Sequence, residues 1–392
     1  MEGVLTDVFV HAVWIDVGSD EGIVWLSGDI VGLTNIEVNE IRRRIKAEPE
    51  LSKCVGINFS CTHSHSGIDT VGYWGKANAL KIPSDGKDEA YMEKLFSQSV
   101  KAAKEAFANR TPGKLYTGRH SIEGGLFTKR RLPDKHEVLT RIRFVPDDGS
   151  AETWLINVGA HPNSLGGANR MLSGEYPYFL RQRVAEKAGA NVLFGIGAIG
   201  GMDAAEFDAD DKVNNIKMQG EFFADAAIAV DNDKLLEPVI KTNTRQFYLP
   251  VDNYVLLLLA MKGTMSFNPF PCKESDTGIA MRTEMTYIPS AARRYFSCPA
   301  KTSCARFTAD MSLPNAPRPE RDPKSTPRRL PKSAATAKLS NTASPTTWRA
   351  MSLRPTISAS IPRRRSSTRR TMFSAQGITT RQTRWASKRS RS

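Results

Sequence analysis

His63 and His65, one serine apart, close an apolar run that begins at Val55, and a second apolar run, from Trp154 to Ala160, ends in His161-Pro162. Neutral imidazole is the commonest side-chain ligand for a transition metal. On a strand, residues i and i+2 share a face, so the spacing predicts that His63 and His65 project together from a strand's C-terminal end. A single His-x-His pair is more often a polar strand end making ordinary hydrogen bonds. The second strand ending in histidine tips the reading toward a metal centre, because α/β folds place their chemistry at the carboxyl edge of the sheet. Pro162 cannot donate to a ladder, which predicts that the second strand stops there with His161 at its mouth. The chain holds six histidines (His11, His63, His65, His120, His136 and His161), and half of them lie in these two stretches.

The elements that must position these residues alternate in type. Strand patterns cover Asp7 to Val17 and Gly22 to Val31, and a helix is predicted over Asn35 to Lys46, with Thr34 and Glu37 at capping-box spacing. The His63 strand follows. A second helix is predicted over Asp88 to Asn109, where Met92, Phe96, Val100, Ala103 and Phe107 recur near a 3.6-residue period. Strands over Lys114 to His120 and Leu139 to Val145 lead to the His161 strand; further helices are expected over Glu175 to Ala188 and Lys217 to Ala229. Asn191 to Ile196 reads as a strand between those helices, and Thr242 to Val255, after them, as extended chain. The glycine-rich stretch Gly195 to Asp203 lacks the Lys-Ser/Thr of a phosphate-binding loop and carries only part of a dinucleotide fingerprint. Its glycines are expected to let backbone approach a substrate or metal. The fold class predicted is α/β, with mixed β-sheets flanked by helices.

Charge divides the chain of 392 residues. Pro289 to Ser392 carries 23 Lys and Arg against 3 Asp and Glu, leaving 32 against 38 for Met1 to Ile288. The net +14 therefore belongs to the last quarter, which is Arg-, Ser- and Pro-rich, has no sustained periodicity and is expected to be a disordered basic tail. The first 288 residues read as one α/β domain. Five cysteines without CxxC spacing give neither a disulfide framework nor a thiolate zinc cluster; Cys54 and Cys61 read as small core residues. Met1 to Gly18 lacks the basic start and apolar core of a leader, and the longest apolar run, Tyr254 to Met261, is far too short to span a bilayer. Compartment and oligomeric state are not legible.

With these pieces placed, Phe9 to Ile288 resembles the neutral/alkaline non-lysosomal ceramidases, zinc amidases that cleave N-acylsphingosine. The resemblance rests on Thr62-His-Ser-His-Ser-Gly67, Trp25-Leu-Ser-Gly-Asp-Ile-Val-Gly-Leu33, Lys129-Arg-Arg-Leu-Pro133, Gly159-Ala-His-Pro162 and Ser173-Gly-Glu-Tyr-Pro177, in the family's order. It implies that His63 and His161 are zinc ligands, that His65 lies beside the metal as a proton-transfer group, and that Arg130 faces a small-molecule or lipid amide substrate. Zinc in such a site acidifies a bound water and polarises the amide carbonyl. On the resemblance, Met1 to Ile288 is an incomplete catalytic domain, and the chain departs from the family in three places. Gly201 and Asp203 stand where the family has an Asp and then a Ser or Asn. Asp203 is kept as a candidate, with a helix N-cap as its alternative role. The family's Glu ligand, in a Pro-Gly-Glu motif, and its later Tyr ligand are absent, and two histidines alone do not close a tetrahedral site, so zinc binding by that pair is expected to be weak or absent.

Those absences coincide with the basic tail, which reads as out of frame. Joining the last base of each codon to the first two of the next, Phe296 through Ser303 permits Phe-Met-Pro-Gly-Glu-Asn-Phe, and Ser344 through Ser352 permits Ala-Asn-Asp-Leu-Ala-Gly-Tyr-Val. Both resemble the missing ligand segments. The leading functional reading is thus a zinc-dependent amidohydrolase. The alternatives are a non-catalytic degenerate paralogue, and a polyanion binder using Arg363-Arg364-Arg365 and Arg369-Arg370. The tail has few aromatics and no recognised binding module, so no specific nucleic-acid partner is expected.

Overall fold

The computed structural model describes residues 1–76, 85–128, 135–261, 269–289, 294–297 and 348–351. Met1–Ser358 forms one compact unit; Ala359–Ser392, the other, lies outside the described residues. Of the basic tail, Pro289 ends the strand Ile279–Pro289, Arg294–Ser297 and Trp348–Met351 are strands, and the remainder, on which the expectation of disorder falls, is likewise outside them.

Two parallel strand pairs, each joined by a crossover helix, terminate the main nine-stranded sheet. At one end Ile23–Gly28 pairs parallel with Gly56–Cys61 across the helix Asn35–Ala47. At the other, Thr153–Val158 pairs parallel with Asn191–Ile196 across the helix Tyr176–Ala188. Antiparallel strands connect them: Val10–Asp16 beside the first pair, Val138–Pro146 and Arg110–Ser121 beside the second. Trp348–Met351 lies between Val10–Asp16 and Arg110–Ser121. A separate four-stranded antiparallel sheet is built on Asn243–Pro250 and Ile279–Pro289. The extended chain expected over Thr242 to Val255 ends at Pro250, and Tyr254–Met261 is helical.

Side-chain alternation sorts the core into three buried clusters. Along Val10–Asp16, Ala12 and Trp14 face Ile41, Ile45, Met92 and Leu95 of the helices Asn35–Ala47 and Glu89–Ala108. Val13 and Ile15, one residue out of phase, face Leu115, Phe144, Leu155 and Leu193. On the far strands Trp154, Ile156 and Val158 pack with Leu180, Val184, Ile216 and Phe223. Strands buried on both faces are what a period of two with apolar residues in both phases produces. The sheet therefore folds back on itself, helices outside and the Val13–Leu193 cluster between its halves; Ser27 Oγ donates to the Phe194 carbonyl across that interior at 2.5 Å.

Local chemistry sets the helix starts. Thr34 and Glu37 form the expected capping box, and Asp88 accepts from the Tyr91 amide at 2.8 Å. The helix expected from Lys217 begins five residues earlier, at Lys212, because Asp211 caps it through the Asn214 amide at 2.8 Å. Gly189 closes Tyr176–Ala188 in the left-handed region, φ +63°, where glycine carries no Cβ penalty.

A buried ion pair joins the two halves. Arg181, on the helix Tyr176–Ala188, donates to both oxygens of Asp29 at 3.1 and 2.5 Å, and Asp29 Oδ2 also accepts from the Phe9 amide at 3.0 Å. His11 is buried alongside, its ring against Phe9. Burial, then the Arg181 charge, hold its pKa well below the ordinary 6.5. Unfolded, His11 takes up a proton near pH 6.5; folded, it stays neutral. The unfolded state thus binds more protons below that pH, so stability present above it is lost as pH falls. Urea midpoints are expected to drop between about pH 6.5 and 5, with a shallower drop in His11→Gln. Parallel curves for the two proteins would refute this assignment.

Candidate metal centre

The strand carrying the first histidines ends at Cys61, two residues before His63, so the pair does not project from one strand face as the i, i+2 rule predicts. The chain is drawn off the sheet by the neighbouring strand's exit: Thr62 donates to the Gly28 carbonyl at 2.9 Å and His63 to the Ile30 carbonyl at 3.1 Å. His63 then takes φ +65°, a left-handed conformation uncommon outside glycine, and one that costs about 1–3 kcal/mol and persists only where its surroundings impose it. Its Nδ1 donates to the Val31 carbonyl. A carbonyl only accepts, so Nδ1 carries the proton and Nε2 presents a lone pair.

That lone pair points into a cluster of three imidazoles. His65 Nε2 lies 3.3 Å from His63 Nε2 and 2.8 Å from His161 Nε2. The three ring centroids stand 4.9, 4.6 and 4.7 Å apart, close to an equilateral triangle. A proton on His65 Nε2 can point at only one of its two neighbours at a time. A cation satisfies all three nitrogens at once. Bound at ~2.0–2.1 Å, tetrahedral zinc sets its nitrogens about 3.3–3.4 Å apart, so this donor set and spacing fit a metal ion. The ligand atoms all lie within 4.8 Å of one another. His63 is buried, His161 half-buried and His65 exposed, so the centre opens toward solvent on the His65 side.

His161 comes to the cluster by a different route. Thr153–Val158 ends three residues before it, and His161 is then held to the short strand Met202–Ala204 by donating to the Met202 carbonyl at 3.0 Å. This bridge sets Asp203 beside it. Asp203 Oδ1 lies 3.9 Å from His161 Nδ1, beyond hydrogen-bond length but within charge range, and accepts from Asn163 Nδ2 at 3.2 Å. Asp203 belongs to a strand, so the helix N-cap role is excluded; Asp211 fills it. The glycine-rich stretch also differs from expectation. A Cβ on Gly159 would meet the Ala198 carbonyl at 2.7 Å, and one on Gly197 the Gly159 backbone at 3.0 Å. These glycines let two protein backbones stack beside His161, one on the other.

Arg130, with the rest of Lys129–Pro133, lies outside the described residues. Trp74, 6.3 Å from the His65 ring, and Phe127, the register partner of Asp203, are both more than half exposed at the edge of the centre. Sequence reasoning missed the residues that brace the histidine loops, although they stand inside the two motifs Thr62–Gly67 and Ser173–Pro177. Ser66 Oγ donates to Glu175 Oε1 at 2.6 Å, and Ser64 Oγ to the Ser173 carbonyl at 2.7 Å. Burial raises the Glu175 pKa; the Ser66 hydroxyl, the Leu165 and Ser164 amides and Lys212 pull it back. Among the described residues no helix is long and apolar enough to cross a membrane.

No protein-family model and no curated protein sequence matches the chain. Its fold is similar to that of neutral ceramidase from Pseudomonas aeruginosa, with a TM-score of 0.58 and 14% identity over 73% of this chain and 56% of that one. A structure described as ceramidase complexed with C2 gives a TM-score of 0.57 and 14% identity, covering 73% and 57%. The chain spans just over half the length of the ceramidases it resembles, and at this identity the likeness is one of fold.

Proposed function

We propose that the protein is a zinc-dependent amidohydrolase that cleaves an N-acyl amide of lipid type, such as N-acylsphingosine. The observation that carries the reading is the convergence of His63, His65 and His161 at the carboxyl ends of two parallel-paired strands, in a fold shared with neutral ceramidases. Zinc would be held by His63 and His161, and when bound would supply Lewis acidity and an acidified water. His63 enters as a fixed tautomer, its proton committed to Val31. Asp203 orients His161 and favours the ring with its proton on Nδ1. His65, the exposed member, has two chemistries open to it: third ligand, making up the three protein donors usual in catalytic zinc sites, or proton carrier at the solvent side. Exposed Trp74 and Phe127 give the mouth an apolar rim suited to an acyl chain. Arg130 keeps its proposed role of facing the substrate on the resemblance alone.

The test is zinc content and hydrolysis together. Purified full-length protein is expected to carry close to one zinc per chain and to release fatty acid from a short-chain N-acylsphingosine, with activity lost to a chelator and restored by zinc. Zinc without hydrolysis of any N-acyl amide would leave a metal site and remove the amidase. A second reading, a non-catalytic relative whose tail is read out of frame, is favoured by one observation. Trp348–Met351 takes a central place in the sheet, and it lies within the stretch whose shifted reading resembles the family's Tyr segment. Coding DNA whose shifted frame stops early would eliminate that reading.

A further inference from the structure

We propose that the segment Ser173 to Tyr176, with Glu175 at its centre, is a positioning device that holds the two histidine loops at their spacing. The proposal rests on reading His63, His65 and His161 as one metal centre, and it assigns that centre a support from outside the loops themselves. Each residue of the segment except Gly174 reaches one loop or the other. Ser173 accepts from Ser64 Oγ at 2.7 Å through its carbonyl and donates its amide to the Ser66 carbonyl at 2.9 Å. Glu175 accepts from Ser66 Oγ at 2.6 Å. His65 is therefore clamped through the serines on both of its sides. Tyr176 reaches the opposite loop: its hydroxyl donates to the Ala160 carbonyl, next to His161, at 2.6 Å. The loops are also joined directly, the His65 amide donating to the Pro162 carbonyl at 3.2 Å.

Two features separate this from ordinary packing. Glu175 is completely buried, yet its carboxylate bonds Ser66 and no imidazole, so its role acts through the loop. Its backbone is held at φ +55°, ψ −155°, a region that is nearly glycine's alone. Such a conformation persists only where the surroundings over-determine it, and here they do. Gly174 donates to Thr6 Oγ1 at 2.8 Å, Thr6 meets Ser173 Oγ at 3.0 Å, and the Glu175 amide donates to Ser173 Oγ at 3.0 Å. A glycine at 175 would hold the same backbone without strain. The glutamate adds a carboxylate aimed at the histidine loop, which a purely structural turn does not need.

Glycine therefore supplies the test, because it separates position from stability. Metal-free, full-length Glu175→Gly is expected to unfold at a denaturant concentration no lower than wild type. Its amides at His63 to Ser66 should nonetheless exchange with deuterium about tenfold faster, while the sheet strands are unchanged. Ser66→Ala, which leaves the strained backbone untouched, carries the same expectation should the glycine variant fail to fold. In the zinc-loaded protein, affinity measured by chelator competition is expected to fall about 10–100-fold in Glu175→Gly, with partial recovery in Glu175→Gln, whose amide oxygen still accepts from Ser66. Unchanged exchange in the histidine loop of both variants would overturn the proposal. Wild type that takes up no zinc while the variants loosen the loop would instead retain the positioning device and remove the metal reading.

Discussion

His161→Ala is expected to lose stoichiometric zinc, with the affinity of any residual binding reduced by about two to three orders of magnitude. Structural zinc sites of four ligands are worth roughly 10–16 kcal/mol, or ~2.5–4 kcal/mol per ligand, which sets that scale. His63→Ala is expected to match it, because the Val31 contact holds the proton on Nδ1 and leaves the Nε2 lone pair for a metal. His65→Ala distinguishes the two roles open to that residue: a ligand's loss would equal that of His161→Ala, whereas a proton carrier's loss would spare zinc and remove turnover. The measurements are metal content after dialysis and the rise in unfolding temperature on adding zinc, which follows the ratio of free metal to dissociation constant. A full zinc complement in both His63→Ala and His161→Ala would end the case for a centre at this place.

The largest expected effect on stability is at Arg181→Met, about 3–5 kcal/mol. Asp29 is 1% exposed and Arg181 8% exposed, so removing the guanidinium strands a carboxylate away from water. Against the ~5–15 kcal/mol that holds a domain folded, that loss is a large share. Asp29 follows the strand Ile23–Gly28 and Arg181 lies on the helix Tyr176–Ala188, so the pair ties together the two crossover units that present the histidines. The double variant Asp29→Asn with Arg181→Met is expected to recover much of the loss, since the amide is neutral and still accepts from the Phe9 amide. Urea unfolding of the single and the double variant checks this. A cost under ~1 kcal/mol for Arg181→Met would mean that water reaches Asp29.

Sequence by itself determined the repeating parts of this protein. Two apolar runs ending in histidine, a capping box at Thr34 and Glu37, and the 3.6-residue recurrence from Met92 to Phe107 are local patterns. Each needs only a few neighbouring residues to act, so each is readable without the fold. The tertiary structure decided where those ends meet. His63 leaves the strand because carbonyls of Ile30 and Val31, from a neighbouring segment, capture its amide and its ring, and a two-residue period cannot announce that. Asp203 reaches His161 through a bridge between segments some forty residues apart, and Glu175, read as the start of a helix, becomes a brace only when Ser66 arrives from 109 residues away. Periodicity records which face a residue takes within its own element. The pairing of elements is set by the burial of both sheet faces and by ion pairs such as Asp29–Arg181, and it was this long-range packing that brought three imidazoles to one point.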